Sequence, residues 1–150
     1  MAHTYTNCLI HYVFSTKYRE PHLNSELRSR IWPFIGGIAR EKGFRTIEVG
    51  GHTDHVHALI ILPTTITVAK AVQLMKGGSS KFVHQTFPSV QGFAWQEGYG
   101  AFTIGASAIE QTVAYIRGQE EHHRRHTFEE EYIAFLDRNG VAYDPRYVFD

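Results

Sequence analysis

Cysteine is almost missing from this sequence: Cys8 stands alone among 150 residues. That excludes a disulfide framework and points to a reducing compartment, the cytoplasm. Cys8 lies in a strand-like run and is expected as a small buried hydrophobe. Long apolar runs are missing as well. Stretches such as Ala58 to Leu62 are far too short to span a bilayer, and the N-terminal residues lack a signal-peptide pattern, which argues against a membrane role. Internal repeats, low-complexity tracts and linker-like segments are also lacking. One domain over residues 1–150 is expected, long enough to bury a real core.

Net charge is the last absence, with 15 Lys/Arg against 15 Asp/Glu. The balance hides an asymmetry. Residues 1–85 carry ten basic and five acidic side chains and residues 86–150 carry five and ten, so the formal counts are +5 and −5. A basic first part can bind phosphates, and the 10 histidines can add charge at lower pH.

The stretch from Tyr5 to Ser15 is rich in β-branched and aromatic residues and reads as a first strand. A basic, aromatic loop, Thr16 to Pro21, follows. Asn24 or Ser25 can cap a helix carrying Leu23, Leu27, Ile31, Ile35 and Ile38 at near-helical spacing; Pro33 should kink or split it, and Gly43 should end it. Phe44 to Val49 alternates as a second strand. A second helix runs from about Val68 to Phe87, capped by Thr65 or Thr67. Its Gly77-Gly78 pair costs about 1 kcal/mol per glycine relative to Ala, so the pair points to close backbone approach by another chain, with the flanking lysines favouring a phosphodiester. Phe93 to Gln96 and Tyr99 to Ile104 read as short strands around a Glu97-Gly98 turn. The order strand–helix–strand–strand–helix–strand implies an α+β fold, a ferredoxin-like antiparallel sheet (βαββαβ) with both helices on one face.

Chemistry concentrates in Gly50-Gly51-His52-Thr53-Asp54-His55-Val56-His57, read as a tight Gly-Gly turn running into a strand. With period-two alternation His55, His57, Leu59 and Ile61 share one face, and Val56, Ala58, Ile60 and Leu62 the other. A strand apolar on both faces lies inside a sheet, so the two imidazoles are held side by side at the rim of the core. Two ligands of a metal site need that placement. Further along, Ser107-Ala108-Ile109-Glu110 forms a capping box opening a helix that reaches about Arg125. Ile109, Val113 and Ile116 give it an apolar docking stripe. Tyr115 and Gln119, four apart, project from one side, and His122 and His123 extend it by a turn. A second capping box, Thr127 to Glu130, starts a last helix ending near Asn139-Gly140.

Taken in order, the pieces resemble the single-tyrosine HUH transposases of the smallest bacterial insertion sequences, the IS200-like family. The resemblance runs over nearly the whole chain: Phe14 to Arg19, Asp54-His55-Val56-His57, Met75 to Ser80, Trp95 to Gly100, Tyr115 to His123, then Phe128 with Glu130-Glu131. It implies an enzyme that cleaves and rejoins single-stranded DNA at insertion-sequence ends through a covalent 5′-phosphotyrosine. By the same resemblance Tyr115 is the nucleophile on a C-terminal catalytic helix, and His55, His57 and Gln119 bind a divalent metal. The oxygen donor of Gln119 favours Mg²⁺ or Mn²⁺. Partners implied are single-stranded DNA hairpins at the element ends and a second copy of the chain, as a homodimer. Lys17, Arg19, Lys76 and Lys81 are the candidates for DNA-backbone contact; Arg117 can instead pair with an acidic neighbour. Two alternatives stay open. One is a domesticated relative that binds hairpin DNA in a host role. The other is a zinc-dependent hydrolase using His55 and His57 with His52, His122 or His123.

Overall fold

The computed structural model of the protein describes residues 3–150. Among these, strands β1 (Cys8–Ser15), β2 (Arg45–Gly51), β3 (His55–Leu62) and β4 (Gly100–Ile104) form one antiparallel sheet in the order β2-β3-β1-β4. Helices α1 (Ser25–Lys42) and α2 (Val68–Thr86) connect them, giving the expected βαββαβ order. Three further helices follow: α3 (Ile109–Arg117), α4 (Gln119–His122) and α5 (Phe128–Arg138).

The alternation of β1 and β3 sorts the sheet into two faces. Ile10, Tyr12 and Phe14 of β1 join Val56, Ala58 and Ile60 of β3 in the main core, against Leu27, Ile31 and Ile35 of α1 and Val72, Met75 and Val83 of α2. On the other face Val13 and Phe102 pack with Phe128, Tyr132, Phe135 and Leu136, which come from α5. The four side chains of α5 recur at i, i+4, i+7 and i+8, the spacing of one helical stripe.

The local signals hold at most ends. Asn24 Oδ1 accepts from Leu27 N–H at 2.9 Å, Thr67 Oγ1 from Lys70 N–H at 3.0 Å, and the Thr127–Glu130 capping box is closed in both directions. Gly43 ends α1 at φ 89°, a left-handed position suited to glycine.

Several expectations fail for identifiable reasons. Cys8 is exposed, because it occupies the outermost β1–β3 pair, opposite Leu62. Pro33 does not split α1; it lies on the exposed side while the buried stripe carries the helix through. Phe93 to Gln96 is not a strand, and only Trp95 forms a bridge, to Thr16. The Ser107 capping box is not made: a 3₁₀ turn, Ala106–Ala108, leads into α3, whose N-cap is Ala108. The helix from there is not continuous to Arg125 but breaks at Gly118, between α3 and α4. Gly78 is needed for helix packing within the chain, since a Cβ there would meet Ile38 Cδ1 at 2.6 Å. Nothing lies within 4 Å of the corresponding position at Gly77.

Gly50 and Gly51 also differ from the tight turn expected. Both are ladder residues, opposite His57 and Val56, and the turn is His52-Thr53-Asp54. The glycine at 50 has a packing reason. A Cβ would meet Ile116 Cγ2 at 2.8 Å and its carbonyl oxygen at 3.0 Å. The backbone of α3 therefore lies directly on β2, beside the strand position paired with His57. That contact places Tyr115.

Candidate active site

His55 and His57 point from β3 to the face covered by α3 and α5, and both are fully buried. A carboxylate from α5 meets them there. Glu131 Oε1 lies 2.9 Å from His57 Nε2 and 3.4 Å from His55 Nε2. Its Oε2 accepts the Tyr115 hydroxyl hydrogen bond and one from Gln119 Nε2 at 3.1 Å. The break at Gly118 leaves Gln119 turned inward and buried, with Oε1 at 2.7 Å from His55 Nε2. His123 Nε2 adds to this oxygen at 2.9 Å. Tyr115, half-buried, has its ring centroid 5.6 Å from that of His57 and 5.4 Å from that of His122. The four residues His55, His57, Tyr115 and Gln119, spread over 65 positions, thus meet in one place within a single chain.

Each imidazole is oriented by a second group. His55 Nδ1 stands 2.8 Å from Asp54 Oδ1, and His57 Nδ1 stands 2.8 Å from His11 Nε2. Hydrogen bonds of this kind fix the tautomer that presents Nε2 to a ligand. Burial, then the neighbouring His57, pushes His11 down to about 3, so it is neutral at physiological pH and can accept the His57 Nδ1 proton. Burial also holds His57 below the usual imidazole range, against the pull of Glu131. Glu131 is buried too, which alone would raise it, but His57 and His123 hold it far below the usual carboxylate range. Burial and then the Glu131 charge push the Tyr115 phenol up, so it is protonated at rest.

The donor set fits a divalent cation. His55, His57 and Glu131 bring one ligating atom each within 4.8 Å of one another, as do His122, His123 and Glu131. His55 has an oxygen acceptor at both ring nitrogens, so with Nδ1–H on Asp54 a lone pair of Nε2 faces Gln119 Oε1 unless a proton or cation lies between them. His122 Nε2 is buried without a hydrogen-bond partner, 3.3 Å from Glu131 Oε2. Two imidazoles with carboxylate and amide oxygens suit Mg²⁺, Mn²⁺ or Zn²⁺ in differing degree.

Sequence reasoning missed the role of Glu131 at the centre and of His11 behind His57. Glu131 left a signal as part of the Glu130-Glu131 block of the family pattern, and His11 as a histidine amid the apolar residues of β1 on the same period-two face as Val13, the partner of His57. His52, half-buried, stacks on His123 at 5.7 Å, at the edge of the cluster.

The four basic candidates scatter. The Lys76 ammonium is turned inward and donates to the Gln96 carbonyl at 2.8 Å and to those of Glu97 and Gly98; burial pulls it down to about 8. It ties α2 to the Trp95–Gly98 segment, as does Trp95 Nε1 donating to the buried Ser79 Oγ at 3.0 Å. Lys81 lies on a groove between α1 and α2. Arg19 lines a groove with His52, Asp54 and His123 and stands 3.7 Å from Glu129, whereas Lys17 lines a separate cavity with Gln96, Glu97 and Asp150. Arg117 pairs with Glu48 at 3.1 Å.

Comparison with known proteins places this antiparallel sheet with its helices among transposases. The profile of the family described as "Transposase IS200 like" matches residues 4–119. The transposases for insertion sequence element IS200 of Salmonella typhimurium and Salmonella typhi are each 28% identical over 116 residues, 73% of this chain and 76% of theirs. A crystal structure of a candidate transposase from Deinococcus radiodurans superposes with TM-score 0.59 at 25% identity, covering 79% of this chain and 96% of that one. A REP-associated tyrosine transposase, solved bound to a REP hairpin, shares the fold at TM-score 0.59 and 16% identity, over 82% of this chain and 73% of its own. The chain belongs to the IS200-like transposase family. It is accordingly a DNA-processing enzyme of transposition and recombination.

Proposed function

We propose that this transposase cuts and rejoins single-stranded DNA through Tyr115, with His55, His57 and Gln119 holding a divalent cation, Mg²⁺ or Mn²⁺, and that it acts in the cytoplasm. One observation carries the reading: the Tyr115 hydroxyl bonds to the carboxylate that also contacts the Nε2 atoms of both histidines. Nucleophile and cation site therefore share one group. The Tyr115 oxygen attacks phosphorus, the bond to the 3′ oxygen breaks, and the 3′ oxygen takes a proton from water to leave as a hydroxyl while the 5′ phosphate stays on the tyrosine. A phenol is a weak nucleophile at neutral pH and an acceptable leaving group, which suits a reversible intermediate. Glu131, within reach of the phenolic proton, is placed to accept it. A bound cation supplies Lewis-acid stabilisation of the charge that develops on the phosphate. Asp54 and His11 keep the two imidazoles turned to their task.

The substrate proposed is the folded hairpin DNA of element ends, consistent with the hairpin bound by the REP-associated relative. Tyr115 stands by the histidines of its own chain, which supports a site completed in cis; a homodimer exchanging tyrosine helices is the arrangement to test against it. Incubation with Mn²⁺ and single-stranded DNA from the gene's flanks should give a covalent adduct on a denaturing gel. The adduct should vanish with Tyr115→Phe and with chelator. Binding without an adduct would instead favour a domesticated hairpin binder, and activity that survives Tyr115→Phe and prefers Zn²⁺ would favour a hydrolase. Mixing His57→Ala with Tyr115→Phe subunits restores activity only if the tyrosine works in trans.

A further inference from the structure

The turn after β1 is built in a way that its fold role does not require. Tyr18 and Arg19 both take left-handed backbone angles, φ 58° and 57°, without a glycine between them. A bulky residue there is strained and persists only where its surroundings over-determine it. They do. Thr16 N–H donates to the Asp54 carbonyl at 2.8 Å, and Thr16 Oγ1 donates to Glu20 O at 2.7 Å. Lys17 N–H donates to Ala94 O at 2.8 Å, and Arg19 N–H to Thr16 O at 3.0 Å. The clamp reaches the active site directly, because Asp54 is also the residue that orients His55.

What this strain achieves is the display of one aromatic ring. Tyr18 is 74% exposed, and the Lys17 ammonium stands 5.6 Å from its centroid. Tyr18 and Arg19 line one open groove together with His52, Asp54, His123, Arg124 and Arg125. His123 is itself part of the active-site cluster, through Gln119 and Glu131. An exposed rigid ring, cationic side chains beside it and a path to the reacting centre are the elements of a single-strand binding track, in which bases stack on aromatics and phosphates meet basic residues.

We propose that Tyr18 is a stacking platform for an unpaired base of the DNA substrate, with Arg124 and Arg125 meeting the phosphates between that base and the histidines. The inference rests on the single-strand DNA reading above and adds the subsite that holds the strand. Tyr18 is a positioning residue; it touches the strand away from the scissile phosphate.

The test uses the full-length protein and single-stranded DNA from the gene's flanks, carrying the fluorescent base 2-aminopurine at successive positions. Wild type should quench the fluorophore at one or two positions. Tyr18→Ala should abolish that quench and weaken binding about 5- to 150-fold, the range for loss of one aromatic stack. Tyr18→Phe and Tyr18→Trp should keep both. In adduct formation the loss should fall on the DNA concentration needed, with the rate at saturating DNA unchanged. Tyr18→Gly, which removes the left-handed strain, should raise or preserve the melting temperature while binding falls as in Tyr18→Ala, so unfolding is not the cause. If wild type binds and Tyr18→Ala binds within about two-fold of it, the stacking subsite is overturned while the transposase reading stands. Failure of wild type to bind any flanking strand overturns both.

Discussion

The two faces of the sheet are made from the same strands and do opposite work. On the α1–α2 face, β1 and β3 contribute Ile10, Tyr12, Phe14, Val56, Ala58 and Ile60 to a core of apolar contacts. On the α3–α5 face the intervening residues include His11, His55 and His57, gathered around Glu131 and capped by Gln119 and Tyr115. The first face is stable by burial alone, which stabilises by about 25 cal/mol per Å² of apolar surface. The second holds titratable groups out of water, a costly arrangement unless each is hydrogen-bonded or a ligand is bound. The dry, apolar face holds the strands so that the polar face can keep its geometry. The Phe128, Tyr132, Phe135 and Leu136 stripe of α5 pins Glu131 from the outside.

This division can be broken at either face, and the outcomes should differ in kind. The largest effect is expected for Tyr115→Phe. Adduct formation should be abolished, because a phenylalanine ring carries no oxygen to attack phosphorus. Stability should change by only about 1 kcal/mol, the net worth of one hydrogen bond; a gel assay and a urea melt check the pair. Leu27→Ala, on the dry face, should reverse that profile. A loss of about 2–5 kcal/mol in unfolding free energy is expected from the cavity, with the adduct still formed at temperatures where the protein is folded.

A third measurement sharpens the metal assignment. Mn²⁺ at about 100 times its dissociation constant should stabilise wild type by about 2.7 kcal/mol in a thermal melt, because only the folded chain assembles the donors. His57→Ala should abolish that gain, and Leu27→Ala should keep it. The smallest effect is expected for Thr127→Ala, which removes the capping box of α5. About 1 kcal/mol of stability should be lost, with the adduct rate at saturating DNA falling only if the start of α5 helps hold Glu131 in place.

Much of this was legible along the chain. The alternation of β3 gave the shared face of His55 and His57, and the cap at Thr127 and the αL glycine at 43 marked helix ends, because those signals act over a few residues. Gly50-Gly51 and Gly77-Gly78 stand out along the chain, but Gly50 and Gly51 are ladder residues and Gly78 packs on Ile38, neither a turn nor a contact with another chain. A glycine that admits a neighbouring side chain looks the same in sequence as one that makes a turn. Lys76, a candidate for DNA, proved to be spent on three carbonyl groups of the Trp95 segment.

Sequence alone determined the strand and helix order, the two faces of β3, and the family pattern that singles out His55, His57, Tyr115 and Gln119. All of these depend on local periodicity or on short blocks in a fixed order. Only the tertiary structure decided that Glu131 joins both histidines and the tyrosine, that His11 stands behind His57, that Ile116 seats α3 on Gly50, and that Tyr18 is displayed on a strained turn tied to Asp54. Those contacts link residues from 16 to 76 positions apart. No local preference encodes them, because each exists only once the sheet has closed and brought separate elements within hydrogen-bond or van der Waals reach.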